Sequence, residues 1–153
     1  KLDRMGASFD KSFQSILDRL TKKAVRMQIP IGTEENFSAI IDLVKMKAYK
    51  FEGEMGKQIV EMEIPADYLE VSNKLRAEMI EKIVETDEDM MTAYLDGKSF
   101  TVDELKKTVR KAVIKNELFP VLCGSSLKNK GVQLILDAVV EYLPSQCLAS
   151  PVA

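Results

Sequence analysis

Hydrophobic and polar positions change period several times along the chain, and each change predicts a new element. Apolar side chains recur first at helical spacing, at Phe13, Ile16, Leu17, Leu20 and Ala24. Either Ser8 or Asp10 can cap a helix there. From Val25 to Ile31 apolar and polar residues alternate, which predicts a strand with one buried face. Because Pro30 cannot donate a backbone hydrogen bond, we expect this strand near a sheet edge.

The next stretch of the chain favours β structure after a short polar loop. Residues 37–51 form a long β-favouring run whose alternation slips between Leu43 and Val44, which predicts a bulge or bend. A turn at residues 53–56 and a second strand at residues 59–64 follow. This part of the chain is therefore predicted to form a β-hairpin.

Three helices are predicted after the hairpin. The first covers residues 66–84 and carries a single apolar stripe, so it packs one face only. Asp87 can cap a second, short helix that ends near Leu95. Thr101 and Glu104 form a capping box at the start of the third.

The last apolar run, Phe119 to Cys123, is short and bounded by polar residues, which favours a buried strand of a parallel sheet. A final helix begins at Gly131 or Val132 and ends before Pro144. Helices and strands alternating in this way predict an α/β fold.

Composition narrows the function classes. The chain has 153 residues, 46% of them hydrophobic and 30% charged, which suits one domain or one domain with a compact insertion. The formal net charge of -2 provides no overall basic field, so we expect no direct sequence-specific binding to nucleic acid and no membrane attachment. Its two cysteines make no disulfide framework, which favours the cytoplasm. The chain opens on Lys1 without an initiator methionine, so we expect it to start inside a longer protein.

Two short loops have residues suited to reading a guanine base. Guanine offers a ring N–H and an exocyclic amine side by side, and the carboxylate of Asp3 can accept both hydrogen bonds. The aliphatic stem of Lys1 can lie along the base plane. After the predicted strand at residues 119–123, Gly124 and the small serines that follow leave backbone N–H groups able to bond the guanine carbonyl.

The same loops carry a family resemblance. The segment Lys-Leu-Asp-Arg-Met-Gly-Ala-Ser-Phe at residues 1–9 resembles the fourth guanine-nucleotide motif of elongation factor G and its continuation, without the leading asparagine. The segment Cys-Gly-Ser-Ser-Leu-Lys-Asn-Lys-Gly-Val-Gln at residues 123–133 resembles that family's fifth motif, with Ser126 where alanine is usual. Segments at residues 28–32 and 41–49 resemble the family's insertion. The resemblance covers residues 1–144.

The resemblance implies an architecture and a set of nucleotide contacts. Residues 1–26 and 117–144 would be the C-terminal part of a P-loop GTPase sheet, residues 27–116 an inserted α/β subdomain, and residues 145–153 a linker or tail. The expected nucleotide-binding residues are Lys1, Leu2, Asp3, Gly124, Ser125, Ser126 and Leu127. The ligand would be GTP or GDP, and magnesium would be held by segments outside this chain. The larger protein would hydrolyse GTP during ribosomal translocation.

An acidic exposed run has two interpretations. The run consists of Glu81, Glu85, Asp87, Glu88 and Asp89. One interpretation is an ordinary charged helix face with favourable charge at a helix start. The other follows from the resemblance, which implies that the insertion meets the basic surface of the ribosomal stalk protein.

Several features argue against catalysis by this chain alone. Gly97-Lys98-Ser99 imitates the end of a phosphate-binding loop, but the first glycine position is Thr92, so we predict a helix stop there. The chain has no histidine, the residue that orients the attacking water in the resembled family, and we expect no catalytic or metal-binding residue. The pair Glu34 and Glu35 is predicted to be solvated surface.

Alternatives to a translocase therefore stay open. The chain can be a protein-interaction module whose nucleotide loops are vestigial, a piece of a recycling paralogue, or a piece of an organellar copy.

Overall fold

A computed structural model describes residues 1–53 and 56–145 of the chain. Its helices are α1 (Phe9–Arg19), α2 (Ala66–Val84), α3 (Glu88–Leu95), α4 (Val102–Ile114) and α5 (Val132–Tyr142). Its strands are β1 (Ala24–Arg26), β2 (Gln28–Ile31), β3 (Ala39–Asp42), β4 (Lys47–Glu52), β5 (Gln58–Met62) and β6 (Phe119–Val121). A short 3-10 helix covers Glu34–Asn36. None of the described helices has the length and apolar composition needed to span a bilayer.

Two sheets organise the residues that the structure describes. Strands β1 and β6 pair in parallel, with Ala24 opposite Phe119. Strands β2, β3, β4 and β5 form an antiparallel sheet in that spatial order. The predicted α/β fold is confirmed, including the parallel pairing of the strand at residues 119–121. Pro30 lies in β2, an edge strand of the antiparallel sheet, as its missing N–H required.

The prediction of a single strand from Val25 to Ile31 is wrong, because this stretch forms two strands in different sheets. Met27 lies between them. Its backbone N–H donates to the carbonyl of Val121 at 3.1 Å, while its own carbonyl accepts from the N–H of Leu43 at 3.0 Å. The chain therefore leaves the parallel sheet and enters the antiparallel one within a single residue, so the alternating pattern continues across the change.

The bulge or bend predicted between Leu43 and Val44 is a tight turn, and the run at residues 37–51 is itself a hairpin of β3 and β4. The Asp42 carboxylate accepts from the N–H of Val44 at 2.8 Å, and Met46 adopts a left-handed φ of 54°. Leu43 and Val44 are buried. The first two residues of the turn are apolar because they are part of the core, so the sequence resembled a continuing strand there.

The helices lie where their capping signals placed them. The side chain of Ser8 accepts from the N–H of Lys11, and that of Asp87 accepts from the N–H of Met90. The predicted capping box at the start of α4 is present, with Thr101 as the cap residue. One helical assignment was wrong: α1 ends at Arg19, so Ala24 belongs to β1.

Strand β6 is less buried than its apolar sequence predicted. Phe119 is 40% exposed, whereas Leu118 and Cys123 on either side of the strand are buried. In the part of the chain that the structure describes, β6 pairs only with β1, so its second edge has no strand beside it.

The core has two clusters of buried side chains. The larger one joins α2, α4 and α5 to the strands, and includes Val25, Met79, Leu105 and Ala138. The smaller one lies beneath the two loops predicted to bind nucleotide, and contains Phe9, Phe37, Ile40, Tyr49, Phe51, Cys123 and Leu134. Because the larger cluster contains residues from both predicted units, the division at residues 27–116 stays a prediction.

Candidate functional site

The two predicted nucleotide loops lie side by side. The backbone N–H of Leu2 donates to the carbonyl oxygen of Gly124 at 3.3 Å. The backbone nitrogen of Lys1 lies 3.0 Å from the same oxygen. The hydroxyl of Ser125 donates to Oδ1 of Asp3 at 2.6 Å. Residues 122 positions apart are thereby brought into one site.

The hydrogen bond from Ser125 favours the ionised form of Asp3. It is the main reason why the pKa of the Asp3 carboxyl is lowered. The nearby Lys128 ammonium acts in the same direction. At neutral pH the carboxylate is therefore charged and acts only as an acceptor of hydrogen bonds.

The second loop is held closed by a backbone bridge. The N–H of Ser125 donates to the carbonyl of Lys130 at 2.8 Å, and the N–H of Lys130 donates back at 3.0 Å. A side-chain carbon at Gly124 would lie 2.7 Å from the Lys130 carbonyl oxygen, so only glycine fits there. Ser125 is buried, whereas Ser126 and Leu127 are exposed at the tip of the loop.

The five acidic residues predicted to bind a partner lie at the end of α2 and the start of α3. Asp87 has a structural task, because it caps α3 and lies 3.7 Å from the ammonium of Lys111. Glu81 accepts from the hydroxyl of Tyr94 at 3.2 Å. Glu85 and Glu88 are exposed and line an open groove of about 690 Å³. Asp89 is also exposed.

The contacts that two residues make with the loops were not predicted from the sequence. Glu34 was predicted to be solvated surface, yet its Oε1 accepts from the backbone N–H of Gly6 at 2.7 Å. The ammonium of Lys130 donates to the carbonyl of Phe37 at 2.5 Å. Neither contact had a signal in the pattern of residues.

Among residues 1–53 and 56–145, no group of three or more histidine, cysteine, aspartate or glutamate side chains is placed to hold a metal ion. These described residues therefore do not fit a magnesium site.

Comparison with known proteins agrees with the fold. The family model described as "Elongation factor Tu GTP binding domain" matches residues 1–145. A crystal structure of a protein from Thermus thermophilus superposes with a TM-score of 0.82 at 30% sequence identity, and the match covers 95% of this chain. The chain spans only 21% of the length of that protein.

The parallel pair of strands, the antiparallel sheet and the surrounding helices define the class as an α/β protein. Because the family model covers nearly the whole chain, this protein belongs to the elongation factor Tu GTP-binding-domain family, whose members are translational GTPases.

Proposed function

We propose that this chain is the guanine-selecting part of a translational GTPase that resembles elongation factor G. The observation that carries the proposal is the 2.6 Å hydrogen bond between Ser125 and Asp3. It places an ionised carboxylate beside a loop of backbone N–H groups, which are the two kinds of group that a guanine edge requires.

The carboxylate of Asp3 would accept the ring N–H and the exocyclic amine of guanine. Adenine offers no such pair of donors, so this contact selects the base. The guanine carbonyl would accept a hydrogen bond from the N–H of Ser126, since the N–H of Ser125 already donates to the carbonyl of Lys130 at 2.8 Å. The stem of Lys1 would cover the base plane.

An exposed apolar helix face supports the proposal that the chain is part of a larger domain. The outer face of α5 and the residue after it present large apolar side chains: Ile135, Leu136, Val139, Val140 and Leu143. A face of this kind is typical of a surface that packs against further protein. We propose that the rest of a GTPase domain covers it.

Hydrolysis in this proposal belongs to the larger protein. Gly97 follows the end of α3, with its N–H donating to the carbonyl of Tyr94 at 3.0 Å, so the Gly97-Lys98-Ser99 sequence is a helix stop. Phosphates, magnesium and the attacking water would be handled by other segments. Translocation on the ribosome, in the cytoplasm, is the activity we propose, and a recycling relative would use the same guanine loops.

A titration with fluorescent GDP tests this division of labour. For this chain alone we expect weak or undetectable binding, because a nucleotide is held largely through its charged phosphates. A version extended upstream to include a phosphate-binding loop should bind tightly, and the same version should not bind fluorescent ADP. Micromolar or tighter binding of GDP by this chain alone would contradict the expectation.

A second function, contact with a partner, is favoured by the open groove lined by Glu85 and Glu88. The groove is also lined by Lys22, Lys23 and Lys82, so its charge is mixed. The exposed pair Glu85 and Glu88 forms the acidic part of its rim, which fits a basic partner such as the ribosomal stalk protein. The proposal is that this rim raises the rate of productive encounters with the ribosome.

Reversal of charge at the groove tests the partner. Glu85→Lys with Glu88→Lys in the full-length protein should slow stalk-dependent GTP turnover by about tenfold at low salt, since rim charges mainly change association rates. The control is Glu70→Lys with Glu78→Lys, which changes the net charge equally at exposed positions outside the groove. If both pairs slow turnover to the same degree, net charge is the cause and the groove is not the contact.

A further inference from the structure

Both predicted guanine-binding loops make hydrogen bonds to one short segment of the chain. This segment, residues 34–37, contains the 3-10 helix and the residue that follows it, and it precedes β3. It contributes no group to the proposed base contacts. Its own contacts with the loops are nevertheless specific hydrogen bonds, one to each loop.

The first contact holds the turn that follows Asp3. The N–H of Arg4 donates to the carbonyl of Lys1 at 3.2 Å, which folds the loop back on itself. Gly6 then adopts a left-handed φ of 75°, and its N–H donates to Oε1 of Glu34 at 2.7 Å. Glu34 itself has a φ of 54°, a conformation that residues with side chains seldom adopt. The surrounding structure therefore fixes the direction from which this carboxylate meets Gly6.

The second contact holds the loop that contains Ser125. The backbone of Lys130 makes both hydrogen bonds of the bridge to Ser125, at 2.8 Å and 3.0 Å. Its ammonium reaches across to the carbonyl of Phe37 at 2.5 Å and lies 5.6 Å from the centre of the Phe37 ring. Phe37 is a firm anchor, since only 1% of its surface is exposed.

These contacts close a ring around the site. Glu34 holds the loop of Asp3, Lys130 connects Phe37 to Ser125, and Ser125 bonds Asp3. We propose that Glu34 and Lys130 are positioning residues, which set the carboxylate of Asp3 and the Ser125 loop at the spacing that guanine requires. A shift of the 34–37 segment would then change base affinity without touching the nucleotide. This inference rests on the proposed function.

The test compares GDP with IDP, whose base lacks the exocyclic amine, in the full-length protein. Glu34→Ala should raise the Kd for GDP by about tenfold, the effect expected when a hydrogen bond to a charged group is lost. The Kd for IDP should rise less, because IDP already makes one bond fewer to Asp3. Glu34→Gln keeps an acceptor oxygen for Gly6 and should stay within about threefold of the wild type. Glu70→Ala, at an exposed position on α2 outside the segment, is the matched control.

The second position gives an independent arm of the test. Lys130→Met keeps the aliphatic stem and removes the ammonium, so it should also lower the preference for GDP over IDP, while Lys130→Arg should restore most of it. Thermal unfolding of each variant identifies any that fails to fold. If the variants at one position fail, those at the other position, Glu34 or Lys130, test the inference.

Three results would overturn the inference: equal Kd values for Glu34→Ala and Glu70→Ala, equal weakening of GDP and IDP, or no rescue by Glu34→Gln. A wild type with no preference for GDP over IDP would instead refute the proposed function, and the inference with it. The preference of the wild type therefore separates the two failures.

Discussion

Replacing Asp3 by asparagine should weaken GDP binding by at least about 100-fold in the full-length protein and create binding of xanthosine diphosphate. The carboxylate offers acceptors to both guanine donors, and two hydrogen bonds to a charged group contribute roughly 3 kcal/mol or more, where about 1.4 kcal/mol is tenfold. An asparagine amide places its own N–H groups against the guanine amine. Xanthine has a carbonyl at that position and can accept from them.

The substitution leaves the site's internal contact in place. The side-chain oxygen of the introduced asparagine would still accept from the hydroxyl of Ser125, which lies 2.6 Å from Oδ1 of Asp3. Asp18→Asn, on the exposed side of α1, is the matched control and should bind GDP as the wild type does. Titrations with GDP and xanthosine diphosphate measure the effect. Loss of GDP binding without a gain for the xanthine nucleotide would show that Asp3 supports the loop and does not read the base.

Gly32→Ala should lower the free energy of unfolding by at least about 3 kcal/mol, and it is the most damaging small substitution that we expect. A side-chain carbon at Gly32 would lie 2.1 Å from the carbonyl oxygen of Asn36 and 2.7 Å from its carbon. Both are backbone atoms, so no side chain can move aside. The φ of 81° adds the cost of a left-handed conformation.

Gly97→Ala is the matched control, because it isolates the backbone cost from the overlap. Gly97 has a φ of 79°, and a side-chain carbon there meets nothing within 4 Å. We expect a loss of about 1 kcal/mol for this substitution. Urea unfolding of the two variants measures the difference. Similar losses for both would show that the segment around Gly32 can relax away from Asn36.

Helices were the part of the fold that the sequence predicted best, because their signals are local. The capping residues Asp87 and Thr101 act on backbone groups within three residues of themselves. The strands were harder. Leu43 and Val44 resemble strand residues because they are buried and apolar. The turn is marked by the Asp42 carboxylate, which accepts from the N–H of Val44, and by the left-handed φ of Met46.

The site was predictable only as far as its motifs extend. Asp3 and the loop at Ser125 were identified from their own sequence, and the structure brings them together. The supporting contacts of Glu34 and Lys130 join residues 28 and 93 positions apart. No local pattern encodes such pairings, and the left-handed φ of Glu34 cannot be predicted from its residue type.

The parallel pairing of β1 with β6 has a consequence for the order in which the chain can fold. Arg26 ends β1 opposite Val121, whereas Phe119 begins β6 opposite Ala24, so the intervening residues must carry the chain back along the length of the pair. A pairing between positions so far apart in the sequence carries a large loop-closure cost, so we expect the two predicted nucleotide loops to be brought together late in folding.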